Sequence, residues 1–324
     1  MSIRVAINGY GNLGRGVELA LLQAVDLEPV VVFTRRDPEQ VETAGTPVAP
    51  LDQMSEWADK VDICINCGGS ATDLETQTPA ALEFFSVVDS FDTHAKIPEF
   101  FETVDQVARN RDRAAIISTG WDPGLFSLMR VLFEATLPNG HEETFWGRGV
   151  SQGHSDAIRR VPGVVDARQY TVPIEAAVES AISGDDRELT PRDKHLRECF
   201  VVAEEGADTE EIERQIKEMP NYFADYDTTV TFVSAEELAE QHSGLPHGGM
   251  VIRNGNTSED NSETLQFQLR LDSNPEFTGS VLTAYARALY RLVEAGFRGA
   301  ATALDIPVGA LHPDSAADLR AHRL

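Results

Sequence analysis

The sequence predicts an α/β protein with a doubly wound parallel sheet, followed by a second α+β domain with a mixed or antiparallel sheet. The chain opens with a β-branched apolar pattern at 3–8 that runs directly into the glycine pattern G-x-G-x-x-G at 9–14. Strand and helix patterns then alternate to about residue 120, which is typical of parallel sheets. From about residue 144 the strand patterns become longer and less regular, which favours antiparallel pairing. The first part is therefore expected to be of the Rossmann type.

Apolar runs and helical spacing define the elements of the first part of the chain. We predict strands at 3–8, 28–33, 61–67, 86–89 and 114–118, and helices at 13–24, 72–84 and 98–110. A further helix is expected to begin at Pro123, because Leu125, Leu128, Met129 and Leu132 keep helical spacing.

The second part of the chain has fewer regular patterns. We predict strands at 144–146, 167–172, 199–202, 228–233 and 266–271, a short helix at 155–160, and a helix over 281–295 that stops at Gly296. These patterns suggest a first domain over 1–120 and a second over 121–274. The C-terminal segment from about 275 is expected to pack back onto the first domain.

The composition argues against several classes of protein. With 53 acidic and 27 basic residues among 324, the net charge is −26, whereas a nucleic-acid surface needs positive charge. An anionic ligand must therefore be bound by local arginine clusters. The sequence has neither a long apolar run nor a secretory signal pattern, so we expect a cytoplasmic protein without a membrane span. The acidity also suggests adaptation to salt as a hypothesis.

The glycine pattern predicts a dinucleotide cofactor. Between the first strand and the first helix lie Gly9, Tyr10, Gly11, Asn12, Leu13 and Gly14. The first glycine permits a tight turn, the second lets the backbone approach a pyrophosphate, and the third lets the helix pack closely on the strand. The helix N-terminus adds free N–H groups and partial positive charge. We therefore expect the domain over 1–120 to bind a dinucleotide.

The end of the second predicted strand indicates which dinucleotide binds. Thr34, Arg35 and Arg36 stand where an NAD site usually carries an acid for the ribose 2′-hydroxyl. Guanidinium groups bind phosphate through paired hydrogen bonds and can stack on adenine, and the hydroxyl of Thr34 can add another bond. These residues favour NADP over NAD. Two alternatives stay open, since the Asp37 carboxylate could reach a ribose and the arginines could belong to a solvated loop.

Residues that directly follow the parallel strands form a second group of candidates, because ligands bind beyond the carboxyl ends of such strands. They are Cys67, Gly68, Gly69, Ser70, Ser90, Phe91, Asp92, Thr119, Gly120, Trp121, Asp122 and Pro123. Asp92 and Asp122 end neighbouring strands and could together hold a cationic amine. The alternatives are a turn-forming role for Asp92 and a helix cap for Asp122.

Two other motifs have structural interpretations. Cys64 and Cys67 match C-x-x-C, but residues three apart in a strand face opposite sides, so we expect packing rather than redox or metal chemistry. Ser151 satisfies G-x-S-x-G, but the expected sheet topology is not that of a nucleophile elbow. We expect this turn to direct backbone N–H groups toward a substrate carboxylate. No metal site is expected, since His242 and His247 lack zinc-type spacing.

Taken together, six motifs closely resemble the meso-diaminopimelate dehydrogenase family. The resemblance runs nearly from end to end, and the motifs lie at 9–14, 118–124, 145–147, 151–157, 246–249 and 271–275. It implies NADP-dependent, reversible oxidative deamination of the D-configured centre of meso-2,6-diaminopimelate. The product would be L-2-amino-6-oxopimelate, which cyclises to tetrahydrodipicolinate. A homodimer is also implied, with dimerisation and substrate binding in the domain over 121–274.

The resemblance further implies roles for individual residues. Asp92 and Asp122 would hold the reacting D-amino group between the walls formed by Trp121 and Trp146. The backbone of Gln152 and Gly153 would receive its carboxylate. The distal L-centre would be bound by Thr171, Arg197, His247 and Asn274, and Asn274 is also expected at the cofactor.

The chemistry requires a base, because hydride can leave the D-centre only when its amine is neutral. Asp122 is the first candidate for the group that accepts the ammonium proton and Asp92 is the second, and the two could share it. Two alternative functions remain open at this stage. One is a saccharopine-dehydrogenase-like NADP oxidoreductase that acts on another amino acid. The other is a non-catalytic NADP sensor.

Overall fold

The computed structural model describes residues 2–185 and 187–324, which form two compact units. One unit contains the chain up to Leu128 together with Pro275–Leu324, and the other contains Met129–Asn274. Within the described residues, the first unit has a parallel sheet of seven strands and the second has two smaller sheets. The predicted fold class is confirmed. The functional roles given to the two parts of the chain stay predictions.

Strands and helices alternate in the first unit. The elements are β1 (Ile3–Asn8), α1 (Asn12–Gln23), β2 (Leu27–Thr34), β3 (Val48–Pro50), β4 (Ile63–Asn66), α2 (Glu75–Ala81), β5 (Ser86–Val88), α3 (Ile97–Asn110) and β6 (Ala114–Ile116). The helix α4 (Leu125–Thr136) begins in this unit and ends in the second. Short 3-10 turns lie at Pro38–Gln40, Leu51–Trp57 and His94–Lys96, and a π-helical turn at Ser70–Leu74 precedes α2.

The second unit is richer in long strands. Its elements are β7 (Gly140–Trp146), β8 (Gly149–Val150), α5 (Gln152–Arg159), β9 (Val164–Pro173), α6 (Glu175–Ser183), α7 (Pro191–Lys194), β10 (His195–Ala203), α8 (Thr209–Lys217), β11 (Asp227–Phe232), α9 (Ala235–Gln241), β12 (His247–Ser258) and β13 (Asn261–Leu271). One sheet has the order β11-β10-β9-β8, with β10 and β11 parallel and the other pairs antiparallel. The second sheet is antiparallel, in the order β13-β12-β7.

The C-terminal part completes the first unit. It contains α10 (Asn274–Glu294), β14 (Gly299–Ala301), a 3-10 turn at Ala303–Asp305, α11 (Val308–Leu311) and α12 (Ala316–Arg323). The sheet order is β14-β6-β5-β4-β1-β2-β3, so β14 pairs with β6 at one edge. The direction of winding changes between β1 and β4, and ligands of such sheets bind beyond the carboxyl ends of the strands at this point.

Two apolar layers cover the faces of the parallel sheet. Val5 and Ile7 of β1 belong to the layer that includes α1 and α10, whereas Ala6 belongs to the layer that includes α2 and α3. The same alternation explains the C-x-x-C motif. Cys64 is buried in the second layer and Cys67 packs against the first, and burial raises the pKa of both thiols. The structural interpretation of these cysteines is confirmed.

Several element boundaries differ from the sequence prediction. The expectation that Pro123 begins a helix is wrong, because Gly124 has a φ of +129° and pairs in a bridge with Trp121, so α4 begins at Leu125. The helix predicted over 72–84 is shorter, since a π-helical turn precedes it and α2 ends at Ala81.

Other elements extend beyond their predicted limits. The helix predicted at 155–160 begins at Gln152, because the Ser151 side chain caps it, and the helix predicted from 281 begins at Asn274. Its predicted stop is correct, as Gly296 has a φ of +89°. Strands β3, β8, β12 and β14 were not predicted. They are very short or, in β12, rich in glycine and polar residues, so their sequences carry little strand pattern.

Candidate active site

The turn between β1 and α1 has the geometry expected for a pyrophosphate site. Gly9 has a φ of +99°, which only glycine adopts without strain, and a Cβ on Gly14 would collide with the Gly9 carbonyl oxygen. Gly11 has no side chain to cap α1, and a Cβ at this position would meet nothing within 4 Å. The start of α1 therefore has no side-chain cap and has free space beside Gly11, as a pyrophosphate bound at a helix N-terminus requires.

The two arginines after β2 lie beside this turn. Nη2 of Arg36 donates to the Tyr10 carbonyl oxygen at 2.6 Å, and the Arg36 backbone N–H donates to Oγ1 of Thr34 at 3.0 Å. The side chain of Arg35 is three-quarters exposed and pairs with Asp73 at 2.9 Å. Asp37 accepts the backbone N–H of Glu39 at 3.1 Å and so caps the turn at Pro38–Gln40. Asp37 therefore has a local role as the cap of this turn.

Three polar side chains that the sequence analysis did not single out support the loops after β1, β2 and β4, which contain the predicted cofactor-binding residues. Glu18 is buried in α1 and accepts the Tyr10 hydroxyl, together with the backbone N–H groups of Ala44 at 2.9 Å and Thr46 at 3.2 Å. Burial raises the pKa of Glu18, but these hydrogen bonds outweigh it and hold the pKa below the usual value.

The other two supporting side chains lie before and within α2. Gln77 donates to the Asn8 carbonyl oxygen at 3.1 Å and accepts the Gly68 N–H at 3.1 Å, so it joins the loop after β1 to the loop after β4. Asp73 accepts the Gly69 N–H at 3.1 Å as well as pairing with Arg35. No sequence signal marks these residues, because a polar side chain in a helix usually faces solvent.

Parallel pairing of β5 with β6 brings the two predicted carboxylate segments to one edge of the sheet. Asp92 is exposed, and its backbone N–H donates to Oγ of Ser70 at 2.9 Å. In the segment after β6, the Thr119 N–H donates to the Asp89 carbonyl oxygen at 3.0 Å. Trp121 is buried and packs edge-to-face on Phe126 at 5.3 Å, in the segment that contains Asp122. The structure thus joins the segments of both candidate carboxylates through Asp89, whereas Ser70 binds only the segment of Asp92.

The candidate residues of the second unit cluster around β8, β9 and β10. Thr171 lies opposite Arg197 in the β9–β10 register, and the Arg197 guanidinium donates to the Thr171 hydroxyl. Gly149 pairs with Thr171, and a Cβ on Gly149 would collide with the ring of His247. His247 therefore lies close to Thr171 and Arg197. The Asn274 N–H donates to the Leu245 carbonyl oxygen at 2.9 Å, two residues before His247.

Arg197 is a buried cation. Only 7% of it is exposed, its guanidinium lies 3.9 Å from the centre of the Tyr226 ring, and burial lowers its pKa. No carboxylate within 4 Å forms an ion pair with it in the part of the chain that the structure describes. A buried charge without a partner of opposite charge is costly, and an anionic group of a ligand would offset this cost.

Ser151 begins a helix rather than forming a nucleophile elbow. Its φ of −87° is relaxed, and its Oγ accepts the His154 N–H at 3.4 Å and lies 2.7 Å from His154 Nδ1. A nucleophile elbow would place the serine on a strained turn. Burial, followed by the charge of Arg197, lowers the pKa of His154 to about 4. Gln152 and Gly153 are thus the first residues of α5, which agrees with the interpretation of this turn as a helix start.

Trp146 ends β7 beside a buried histidine. Its backbone N–H donates to Nε2 of His195 at 2.9 Å, and its ring centre lies 5.6 Å from that of His195. Burial, then the charges of Arg197 and Lys194, lower the pKa of His195 to about 3. The ring is therefore neutral at pH 7, and it supports Trp146 as a hydrogen-bond acceptor.

This buried histidine predicts a pH dependence of stability. Unfolded His195 takes up its proton near pH 6.5, whereas the folded protein takes it up only near pH 3, so stability falls as the pH falls between these values. The His195→Gln variant keeps an acceptor for the Trp146 N–H but cannot take up a proton. Its free energy of unfolding should therefore depend less on pH than that of the wild type, by at most about 1.4 kcal/mol per pH unit. Urea unfolding at several pH values measures this dependence. His322→Gln, at an exposed position of α12, is the control, and equal slopes in both variants would contradict the assignment.

Within residues 2–185 and 187–324, no three side chains of His, Cys, Asp or Glu are grouped so that they could hold a metal ion. None of the helices in those same ranges combines the length and the apolar character that a membrane span needs.

Comparisons with known proteins agree with the resemblance stated above. A family model of the diaminopimelic acid dehydrogenase C-terminal domain matches residues 120–273. The meso-diaminopimelate D-dehydrogenase of Ureibacillus thermosphaericus is 56% identical over 319 residues, which cover 98% of each chain.

Three solved structures cover this chain from end to end. A multiple mutant of the Clostridium tetani meso-diaminopimelate dehydrogenase with DAP has a TM-score of 0.96 at 50% identity, with 100% of each chain covered. The Corynebacterium glutamicum DAP dehydrogenase in complex with DAP has a TM-score of 0.94 at 43% identity, with 100% of this chain and 99% of that chain covered. An engineered D-amino acid dehydrogenase bound to NADP+ has a TM-score of 0.90 at 41% identity, with 100% of each chain covered.

Proposed function

The chain belongs to the meso-diaminopimelate D-dehydrogenase family, and on this premise we propose that it is an NADP-dependent oxidoreductase acting on the D-centre of meso-2,6-diaminopimelate. The reaction is a reversible oxidative deamination that yields L-2-amino-6-oxopimelate, which cyclises to tetrahydrodipicolinate, and ammonia. The enzyme is expected to work as a homodimer in the cytoplasm. The buried guanidinium of Arg197 carries this proposal, because no carboxylate among the described residues forms an ion pair with it and an anionic group of a ligand would offset the cost of burying its charge.

The proposed substrate has the charges that this site needs. Meso-diaminopimelate carries two carboxylates and two ammonium groups, so its binding site must offer cationic and anionic groups at both ends. Arg197, with Thr171, His247 and Asn274, would bind the distal L-centre. The backbone of Gln152 and Gly153 at the start of α5 would bind the carboxylate of the reacting centre.

The proton that must leave the substrate sets the role of the acidic residues. We propose that Asp122 accepts a proton from the ammonium group of the D-centre, and that Asp92 helps to hold this group. The nicotinamide ring of bound NADP+ would accept the hydride from the D-centre carbon. Water then replaces the nitrogen, and ammonia leaves. Trp121 and Trp146 would form the walls that limit access of bulk water to the reacting carbon.

The stereochemistry follows from the distal contacts. If Arg197 and its neighbours bind the L-centre, the reacting carbon can direct its hydrogen toward the nicotinamide in only one of its two configurations. Oxidation confined to the D-centre of the meso isomer is therefore expected.

The direct test follows NADPH absorbance with meso-, LL- and DD-diaminopimelate as separate substrates, at low and high KCl. Turnover with the meso isomer and NADP+ supports the proposal. A protein that binds NADPH but oxidises none of the isomers at any salt concentration would contradict it and would favour a sensor. Turnover of a different amino acid alone would favour the saccharopine-dehydrogenase-like alternative.

Cofactor preference is predicted to depend on Arg35 and Arg36. Replacing both by alanine should raise the KM for NADP+ by roughly 10- to 100-fold, because charge-assisted bonds to the 2′-phosphate are lost. The KM for NAD+ should change far less, since NAD+ has no such phosphate. Steady-state kinetics with both cofactors measure the effect.

The matched control for this prediction is Arg109→Ala. Arg109 pairs with Asp105 on α3 in an exposed ion pair, as Arg35 pairs with Asp73, but it lies outside the cofactor loops. If the KM for NADP+ and the KM for NAD+ rose by the same factor in the double variant, the arginines would only stabilise the glycine turn.

A further inference from the structure

A buried chain of hydrogen bonds crosses the carboxyl ends of the central strands. Asn8, at the end of β1, donates to Asn66 at the end of β4 at 2.8 Å. Asn66 donates to Oγ1 of Thr78 in α2 at 3.0 Å, and Thr78 donates to the Asp89 carboxylate, directly after β5, at 2.7 Å. All four residues are at most 2% exposed. The chain therefore runs from one central strand to the next and ends at a carboxylate.

The Asp89 carboxylate also holds two loops through their backbones. Its second oxygen, Oδ1, accepts the Phe91 N–H at 3.1 Å and the Ser118 N–H at 3.0 Å. Its carbonyl oxygen accepts the backbone N–H of Thr119 at 3.0 Å and the Thr119 hydroxyl at 2.8 Å. Asp89 thus joins the segment that contains Asp92 to the segment that contains Asp122.

One of these loops adopts a conformation that needs such support. Ser118 has a φ of +55°, in the left-handed region that costs a non-glycine residue energy and persists only where the surroundings determine it. Burial raises the pKa of Asp89 to about 6, although its hydrogen bonds from Thr78, Phe91 and Ser118 lower it. The group is therefore mostly ionised at pH 7 and accepts hydrogen bonds only.

The direction of the hydrogen bonds requires a carboxylate at this position. Thr78 and the two backbone N–H groups all donate to Asp89, so both of its oxygens must be acceptors. An asparagine side chain has only one acceptor oxygen. Its NH₂ group would face either the Thr78 hydroxyl or the two backbone N–H groups, all of which are themselves donors. A buried network with one such mismatch loses more than one bond, because the remaining donors are left unpaired.

We propose that Asp89, held by Thr78, is a positioning residue that sets the placement of Asp92 and Asp122 relative to each other. This inference rests on the proposed function, in which those two carboxylates bind and deprotonate the amine. Asp89 itself is buried and contacts no substrate. Its effect on the reaction is through the loops that it joins.

The test compares two replacements of Thr78. Thr78→Val removes the hydroxyl at nearly constant volume, and Thr78→Ser retains it. We expect Thr78→Val to lower kcat for meso-diaminopimelate about tenfold while the KM for NADP+ changes less than about threefold, and Thr78→Ser to keep both constants. Asp89→Asn should lower kcat about 100-fold. Thr76→Val is the control, since Thr76 is exposed in the same helix and its hydroxyl donates to the Asp73 carbonyl oxygen, outside the chain of hydrogen bonds that ends at Asp89.

Two readouts separate positioning from general destabilisation. Kinetics well below the melting temperature should show the kcat loss in Thr78→Val, with rescue in Thr78→Ser. Hydrogen exchange should be faster in Thr78→Val in the loops around Phe91 and Ser118, but not in the centre of β1. A kcat equal to wild type with unchanged exchange would overturn the inference, even if Asp89→Asn does not fold.

The same exchange measurement separates this inference from the proposed function. A wild-type protein without turnover of diaminopimelate would contradict the proposed function. The exchange rates of the two loops would still decide whether Thr78 and Asp89 hold them. Faster exchange in Thr78→Val than in Thr78→Ser supports the positioning role, and equal exchange overturns it.

Discussion

An Asp122→Asn variant is expected to oxidise meso-diaminopimelate with a kcat about 10²- to 10⁴-fold lower than the wild-type enzyme. Asparagine has nearly the same shape but cannot accept the ammonium proton, so the amine stays charged and hydride cannot leave. Because the loss concerns a proton transfer, NADPH binding should fall far less than kcat. Initial rates at saturating NADP+ and fluorescence titration with NADPH measure the two quantities.

Two further variants make this result specific. Asp92→Asn is expected to raise the KM for diaminopimelate more than it lowers kcat, since Asp92 is proposed to hold the amine rather than to deprotonate it. Asp112→Asn is the control, because Asp112 is exposed after α3 and its φ of +53° is one that asparagine adopts readily. A larger loss of kcat in Asp92→Asn than in Asp122→Asn would contradict this assignment, and would make Asp92 the proton acceptor and Asp122 the residue that holds the amine.

The second large effect is expected at Arg197. Arg197→Met, which keeps a long unbranched side chain but removes the guanidinium, should lower kcat/KM for meso-diaminopimelate about 10²- to 10³-fold, because the carboxylate of the distal centre loses its buried partner. The ligand-free variant should be at least as stable as the wild type, since an unpaired buried charge has been removed. Kinetics and thermal unfolding with and without diaminopimelate measure both effects.

Opposite changes in activity and stability would distinguish substrate binding from a structural role. If Arg197 only stabilised the fold through Tyr226 and Thr171, Arg197→Met would lower stability and activity together. Arg214→Met is the control, because Arg214 is exposed on α8 and pairs with Glu211 and Glu218 of the same segment. Activity within about threefold of wild type in Arg197→Met would refute a role in binding the distal centre.

Much of the first unit could be predicted from sequence because its signals are local. The glycine turn follows from the steric freedom of Gly9 and from the packing of Gly14 on the turn. The strands with continuous apolar runs, such as β1 and β4, were predicted within two residues at each end. The start of α4 was mispredicted because the positive φ of Gly124 is imposed by the bridge to Trp121, a contact that Pro123 does not reveal.

The candidate residues were predicted partly by topology and partly by resemblance. Asp92 and Asp122 follow from the rule that ligands bind beyond the carboxyl ends of parallel strands. The local sequence gives Thr171 and Arg197 no specific role, and only the family resemblance suggested one. Their pairing across β9 and β10 depends on strand register, which connects residues 26 positions apart. Their roles in catalysis and binding stay predictions until the variants are measured.

The sequence by itself determined the order of the elements, the dinucleotide turn and the arginines that favour NADP, because each depends on neighbouring residues and on backbone sterics. Only the tertiary structure decided that Arg197 is buried without an ion pair to any described carboxylate, that β14 completes the sheet, and that Asp89 ends a hydrogen-bonded chain from Asn8. Burial and strand pairing depend on segments far apart in the chain. Asp89 and Thr78 therefore look like ordinary polar residues until the strands place them side by side.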